Sequence, residues 1–384
     1  MRALMFASVA SMVYLFNRDN IKILEELGYK VTVAANFSEG SVFPKEKARK
    51  FMAELRLSGH DVIDVPIPRS LKDVKGFVKS YMILRRDMKK KHYDIIHTQS
   101  PIGGVICRLA AAPFRKEGAK VLYYAHGFHF FKGAHAINWL AYYPAELICA
   151  NMTDVVITLN KEDYNRAKRH FNTEVVYMPG VGLELDEIGG IPKPDPAEKK
   201  AELGIPADKK VIVSVCELSV RKNCEVALKA FALADRDDAV LLFCGIGEQT
   251  EMLKDMARNL GVEDKVIFAG FRSDIYEILK ISDVFIFTSK QEGLPAALME
   301  AMACGLPALC SRIRGNNELV RNKRNGYLYR CDDVAGFSRG IDKLLDNSAL
   351  RDKMGSNSLV DIRKYDRHSI NEMMRYIYES LLSQ

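Results

Sequence analysis

Two carboxylates, Glu292 and Glu300, stand eight residues apart in the stretch from Gln291 to Val320, with Pro295 between them and Gly305 beyond. Proline suits the first position of a helix, where its missing N–H would have no intrahelical partner, and glycine suits the stop. The helix start so predicted offers unpaired N–H groups and a partial positive charge, the backbone arrangement that holds phosphate. An acid just outside the first turn, and another about a turn and a half inside it, are poor phosphate ligands but good acceptors for sugar hydroxyls. Taken singly, either Glu is more often a surface residue. The pair, with a helix start between them and a strand before, reads as a nucleotide-sugar site.

A diphosphate also needs cations or backbone donors to meet its charge. Lys222, with Arg221 beside it, lies in CELSVRKN between a predicted strand and a helix that Asn223 is placed to cap. Gly293 and Leu294 supply main-chain donors at the predicted helix start. The strand-end loops FCGIGE and AGFRSD bring in Gly245, Gly247, Phe271 and Arg272 as a place for a nucleobase, since glycine lets a backbone approach a ligand closely. The plainer reading is that these glycines serve their turns and Arg272 is exposed. In YYAHGFHFFKG, His126 follows a strand, with Gly127, His129 and Lys132 after it; taken alone, such a histidine is more often a structural residue.

The elements that must position these residues follow from an alternation of apolar strand-like runs with helical patterns, which argues for parallel sheets with helices on both faces. The first half carries RALMFA, YKVTVAA, DVIDVPI, DIIHTQ, KVLYYAH, DVVITL and EVVYMP, with helices between them, for instance Leu71 to Lys91 and Gly103 to Ala112. A stretch rich in proline and glycine, Pro179 to Lys200, reads as an interdomain linker. The second half continues with KVIVSVC, AVLLFCG, KVIFAG, DVFIFTS and LPALCS. The start MRALMFASVASMVYLF has the look of a secretory signal, but the amphipathic helix and second strand after it need that segment as the first strand of a βαβ unit.

Glu-x7-Glu, the Gly/Pro turn after it, SRIRGNNELV and NGYLY resemble the donor half of a family 4 retaining glycosyltransferase, of the bacterial capsule and exopolysaccharide type. The resemblance implies an α/β GT-B fold: two Rossmann-like doubly wound domains facing across a cleft. These would be an acceptor-side domain over residues 1–185, a nucleotide-sugar domain over 186–361, and a last helix over about 362–384 that returns to the first. It implies Glu300 on the ribose diol and Glu292 on the transferred sugar, where it would also act on developing charge at the anomeric carbon. Lys222 falls on the diphosphate, main-chain groups near Phe271 and Arg272 on the base, and His126 beside the hydroxymethyl group of the sugar. The chain departs from the family pattern GRLxxxKG: Glu217 stands where Arg is usual and Cys216 where Gly is usual, so Arg221 or the donors at Gly293 and Leu294 must make good the missing cation. The loop from Ser8 to Met12 is expected to floor the cleft, without the Gly-Gly pair of many relatives. For Arg312, Arg314 and Glu318, structural and ligand roles stand equal, with Gly315 needed for the turn.

The activity so implied is transfer of a hexose or N-acetylhexosamine from a UDP-sugar to a lipid-linked or oligosaccharide acceptor in cell-surface polysaccharide synthesis. Front-face attack would retain configuration and no metal would be required; Asp235 and Asp237 form an Asp-x-Asp, but between a helical pattern and a strand, where a surface turn is expected. A GT-B nucleotide-sugar epimerase is the second enzyme reading. The glycines near Gly245 make an incomplete dinucleotide fingerprint in the wrong βα turn for a dehydrogenase.

With 384 residues, 48% of them hydrophobic, the chain supports two full cores. Its eight cysteines contain no CxxC pair and read as reduced, buried small hydrophobes. The formal charge of +7 gathers in the first half, where residues 1–185 hold 27 Lys and Arg against 18 Asp and Glu. Runs such as Arg85 to Lys91 and Lys45 to Lys50 suit anionic lipid, a polyanionic acceptor or a solvated helix face. A nucleic-acid-binding protein is a further reading, but no nucleic-acid module is present and the two glutamates go unused. The segment His135 to Asn151 gathers Trp139, Tyr142, Tyr143, Leu147 and Ile148, and two readings stay open: a helix at a membrane surface, or one packed under the sheet. No run reaches the length needed to span a bilayer. The chain is therefore expected in the cytoplasm, in peripheral contact with membrane at most.

Overall fold

The computed structural model describes residues 1–38, 44–68 and 73–382. The chain divides into two compact units, one formed by Met1–Val181 with His368–Gln384 and one by Gly182–Arg367. The first holds seven strands: β1 (Arg2–Val9), β2 (Lys30–Asn36), β3 (Asp61–Asp64), β4 (Ile95–Gln99), β5 (Lys120–Ala125), β6 (Val155–Thr158) and β7 (Glu174–Tyr177). The second holds six: β8 (Lys210–Val215), β9 (Ala239–Cys244), β10 (Val266–Gly270), β11 (Val284–Phe287), β12 (Ala308–Ser311) and β13 (Gly326–Tyr329). Both sheets are parallel throughout, in the orders β3-β2-β1-β4-β5-β6-β7 and β10-β9-β8-β11-β12-β13.

Helices cover both faces of such sheets, so the strands can be apolar on both sides. β9 and β11 are buried along their whole length. The apolar runs read from the sequence all form strands. β13 is a further strand beyond those runs.

Each order reverses once, between β1 and β4 in the first sheet and between β8 and β11 in the second. Where the chain turns to opposite sides of a strand, the loops after the two central strands part and leave a crevice at their carboxyl ends. In the first unit that place is a pocket of about 370 Å³, lined in part by Ser8, Asn36, Ser100, His129 and Tyr142. In the second it is where Lys222 and Glu292 meet.

Several expectations are corrected. Residues Ser8 to Met12 form no loop, since β1 runs to Val9 and the helix Ala10–Phe16 starts at once. The Pro- and Gly-rich stretch is not an open linker: it folds as helices Leu185–Gly190 and Pro196–Glu202 inside the second unit. Pro196 occupies a first helical turn capped by Asp195, whose side chain accepts from Ala197 and Glu198 at 2.8 and 3.0 Å. The helix expected from Leu71 spans Val74–Lys91, with Leu71 and Lys72 outside the described residues. The one expected at Gly103 spans Pro101–Arg115. The final helix, Arg367–Leu382, lies with the first unit, where Tyr378 Oη meets buried His97 Nδ1 at 2.6 Å and Arg375 pairs with Glu26.

One buried ion pair joins two helices of the first unit. Arg108, fully buried on Pro101–Arg115, meets Glu146 of the helix Ala136–Ala150 at 2.8 Å. The guanidinium lies 3.8 Å from the centroid of the Tyr123 ring, whose hydroxyl donates to Glu146 at 3.1 Å. Breaking such a pair leaves an uncompensated charge in a low dielectric, which costs far more than replacing both members. Arg108→Ala should therefore lower the unfolding free energy of the first urea transition by about 3–5 kcal/mol. Arg108→Leu combined with Glu146→Leu should recover most of it, and equal instability of single and double variants would contradict this account.

Candidate functional site

In the second unit, pairing of β8 with β11 sets Ile212 beside Val284 and Val213 beside Phe285, so the loops after both strands emerge together. The loop after β8 carries Arg221 and Lys222, and the loop after β11 carries Glu292. Lys222 Nζ donates to Glu292 Oε1 at 2.7 Å, and Arg221 Nη1 donates to the same oxygen at 3.2 Å. The Lys222 and Glu292 side chains are 13% and 10% exposed, whereas Arg221 is 46% exposed, so the lysine makes the less screened ion pair. The lysine ammonium also lies 4.9 Å from the centroid of the Phe287 ring. Glu217, in the place of the usual family Arg, lies 3.9 Å from Arg221.

The helix after Glu292 is Ala296–Ala303, with Pro295 as its N-cap, one position earlier than the spacing suggested. Gly305 ends it at φ +78, a left-handed conformation that glycine adopts without strain. Arg314 Nε donates to the Glu292 carbonyl at 3.2 Å, which ties the SRIRG segment to the acidic loop. Gly315 is required by close approach and not by a turn: a Cβ there would sit 2.7 Å from the Gly293 carbonyl oxygen. Glu300, the fifth residue of the helix, is half-buried; burial raises its carboxyl pKa, and a hydrogen bond from Tyr276 works against that rise. Tyr276 is pushed up to about 12 by burial and by Glu300.

Three sequence expectations meet different surroundings. Asn223 begins the helix Cys224–Ala234 at φ +57 but does not cap it; its amide donates to the carbonyls of Thr288 at 3.0 Å and Cys331 at 2.9 Å. Gly245 and Gly247 serve loop-on-loop packing: a Cβ at Gly245 would lie 1.8 Å from the Cys216 carbonyl oxygen, and one at Gly247 2.2 Å from that of Leu218. The Arg272 guanidinium is held by Asp274 at 2.6 and 2.8 Å and by Glu202, beside Lys199, which pairs with Asp274 and Glu277. Its side chain is thus committed inside the protein, while Phe271 is 78% exposed. Asp235 and Asp237 serve a turn, the first at φ +47 ending a helix and the second paired with Lys265. Among the described residues no group of three or more His, Cys, Asp or Glu is placed to hold a metal ion.

In the first unit, His126 Nε2 lies 2.7 Å from Gln99 Oε1, between the rings of Phe16 and Tyr124 at 5.3 and 5.0 Å. Burial lowers its pKa to about 4, so the ring is neutral near pH 7. His129 stacks on Tyr142 at 4.6 Å. Ser100 adopts φ +69, a strained value for a residue with a side chain, and its Oγ meets Ser8 Oγ at 2.5 Å on the pocket wall. Gln99, Ser100, Tyr276 and Arg314 all enter the two sites by strand order and packing; of these, only Arg314 had been singled out. The helix Ala136–Ala150 packs on the core with one face and leaves another exposed. Trp139, Tyr142, Tyr143 and Leu147 pack on the core, while Ile137, Leu140 and Ile148 are 71%, 78% and 62% exposed.

Two parallel-sheet Rossmann-like units, each with a switch point at its strand ends, give the α/β architecture of GT-B glycosyltransferases. The sequence matches the model for Glycosyl transferases group 1 over residues 195–359 and that for Glycosyltransferase Family 4 over residues 18–181. It is 33% identical over 371 residues to the putative glycosyltransferase EpsD of Bacillus subtilis, covering 96% of this chain and 93% of the relative. It is also 32% identical over 289 residues to an Escherichia coli UDP-Gal:alpha-D-GlcNAc-diphosphoundecaprenol alpha-1,3-galactosyltransferase, covering 73% of this chain and 72% of that one. The solved structure of Anabaena Alr3699/HepE in complex with UDP has the same fold, with a TM-score of 0.77 at 19% identity over 100% of both chains. The chain belongs to the family 4 glycosyltransferases and is a transferase enzyme.

Burial lowers the pKa of His126 to about 4 and of His97 to about 3, from an ordinary 6.5. Below pH 6.5 the unfolded chain therefore binds protons that the native chain refuses, and stability rises with pH in that window. Each group should contribute a slope of about 1.4 kcal/mol per pH unit between roughly pH 4 and 6. Urea unfolding of wild type and His97→Gln at pH 4.5, 5.5 and 6.5 checks this: the variant should lose about half of the histidine-dependent slope, and identical slopes would refute it.

Proposed function

We propose that the chain is a retaining glycosyltransferase that moves a hexose or N-acetylhexosamine from a UDP-sugar to a lipid-linked or oligosaccharide acceptor in cell-surface polysaccharide synthesis. The observation that carries the reading is Glu292 held by Lys222 and Arg221 just before the start of a helix that bears Glu300. Without donor, the two cations neutralise the acid. An arriving diphosphate competes for them, which releases Glu292 to accept from hydroxyls of the transferred sugar and leaves both cations on the phosphates. The main-chain N–H groups of Gly293 and Leu294 add donors at the same place. Glu300, steadied by Tyr276, takes the ribose diol through its two acceptor oxygens. His126, neutral and oriented by Gln99, positions the hydroxymethyl group of the sugar.

Reaction on the leaving-group face breaks the bond from the anomeric carbon to phosphate oxygen as the acceptor oxygen bonds to that carbon. A phosphate oxygen takes the acceptor proton, and Lys222 and Arg221 meet the charge of the departing diphosphate. The reading assigns that charge to side chains and backbone with no metal. Support for the donor and acceptor classes comes from the UDP in the Anabaena complex and the diphosphoundecaprenol substrate in the E. coli relative's name.

A lipid-linked acceptor brings the chain to the cytoplasmic face of a membrane. The exposed stripe Ile137, Leu140 and Ile148 suits that, flanked by the basic helix Lys161–His170, whose His170 and Arg166 rest against Tyr143 and Trp139. Among the described residues no helix is long and apolar enough to cross a membrane.

With a UDP-sugar donor and matching acceptor, Glu292→Gln and Glu300→Gln should each lower kcat/KM by about ten-fold or more, for the loss of 1.4 kcal/mol or more of transition-state binding. Lys222→Ala should raise the Kd for UDP, and EDTA should leave wild-type turnover unchanged. Wild-type rates in both glutamate variants would sink the assignment. For the membrane contact, the chain should pellet with anionic vesicles at low salt and less with Leu140→Glu; no pelleting of the wild type would end that part.

A further inference from the structure

The loop that carries Lys222 begins and ends with a thiol. Cys216 follows β8, Cys224 opens the helix Cys224–Ala234, and their Sγ atoms are 3.4 Å apart, both free. Cys224 is buried and Cys216 is partly buried. The Cys224 thiol hydrogen-bonds to Cys216, and Lys222 adds positive charge, so the Cys216 thiol is held below its ordinary pKa and that of Cys224 above it. Burial pushes the thiols of Cys107, Cys149, Cys244, Cys304 and Cys310 the other way. Cys216 is also the residue standing where the family pattern has glycine, so the pair is a departure of this chain from that pattern.

We propose that Cys216 and Cys224 form an oxidation site, at which a peroxide produces a disulfide that closes the Lys222 loop and weakens binding of a nucleoside diphosphate. The Cys216 thiolate attacks one peroxide oxygen, an S–O bond forms, the O–O bond breaks, and the leaving hydroxide takes a proton to become water. The Cys224 sulfur then attacks the Cys216 sulfur and releases its proton; the S–S bond forms, the S–O bond breaks and a second water departs. Two thiols lose two electrons in all, and one peroxide gains them.

Bond formation brings the sulfurs to about 2 Å, closer by more than an ångström. The flanks resist that movement. The Cys216 carbonyl packs so closely on Gly245 that not even a Cβ fits between them, its N–H donates to the Cys244 carbonyl at 3.1 Å, and Val226, Ala227 and Leu228 anchor the helix after Cys224 in the core. Leu218, packed on Gly247, and Asn223, bonded to the carbonyls of Thr288 and Cys331, are held as well. The change therefore falls on the segment from Ser219 to Lys222, and it carries Lys222 away from the position in which Nζ reaches Glu292. The effect on affinity rests on the assignment of Lys222 to the diphosphate; the bond itself does not.

The test treats the full chain with hydrogen peroxide, alkylates free thiols, maps peptides, and measures UDP binding by calorimetry before and after dithiothreitol. A peptide joined through Cys216 and Cys224 is expected, with at least a ten-fold rise in the Kd for UDP that dithiothreitol reverses. Cys224→Ala should match the reduced wild type in affinity and give no joined peptide. Alkylation of both cysteines when peroxide-treated protein is unfolded under the alkylating reagent overturns the proposal, as does a disulfide that leaves UDP binding unchanged. If the reduced chain binds no UDP, or Lys222→Ala binds it as well as wild type, the donor assignment and the affinity effect fall together, and the peptide map still decides the bond.

Discussion

The second unit's site depends on one contact, the 2.7 Å pair between Lys222 and Glu292. The two residues are 70 positions apart in sequence, and only the reversal of strand order between β8 and β11 brings their loops to the same place. Two charges this well buried need each other in the absence of ligand, since either alone would carry a desolvation penalty. That same mutual need makes the pair exchangeable. In the function proposed above, a diphosphate offers the lysine a stronger partner, and the carboxylate left behind becomes an acceptor for hydroxyls. The switch point brings the two loops together, and the ion pair follows from it.

Around that pair the backbone is packed more tightly than side chains would allow. Gly245 and Gly247 let the loop after β9 rest on the loop that begins at Cys216, and Gly315 lets the helix Arg314–Leu319 rest on Gly293. Asn223, with left-handed backbone, hands its amide to carbonyls from two other loops. A lysine placed on a loop gains its precision from such supports, because rigid neighbours and not the loop itself restrict where Nζ can lie. The acid network around Arg272 does comparable work at the end of β10, where Asp274 and Glu202 hold the guanidinium.

Much of this architecture was legible beforehand. Parallel strands buried on both faces leave apolar runs, so all but β13 stood out, and proline and glycine marked the helix that carries Glu300. Glu292, Glu300 and Lys222 could be singled out because their residue types and spacing suit one chemistry. Other features left no mark in a one-dimensional pattern. The sequence does not say that the Cys216 carbonyl is the backbone that packs on Gly245. The partners of Arg272 left no mark because they include Glu202, 70 positions away. The stretch after Pro179 looked like a linker because glycine and proline mark helix ends as readily as open chain, and only burial tells them apart.

By itself, the sequence determined the alternation of strands and helices, the two-unit plan and the chemical types at the site, since these depend on local propensity, apolar period and residue identity. Tertiary structure alone decided which residues share a partner: Lys222 and Arg221 with Glu292, Tyr276 with Glu300, Gln99 with His126, Cys216 with Cys224. The reason is geometric. Strand order within a parallel sheet is free of chain order, so the neighbours of a strand-end residue are set by which strand lies alongside.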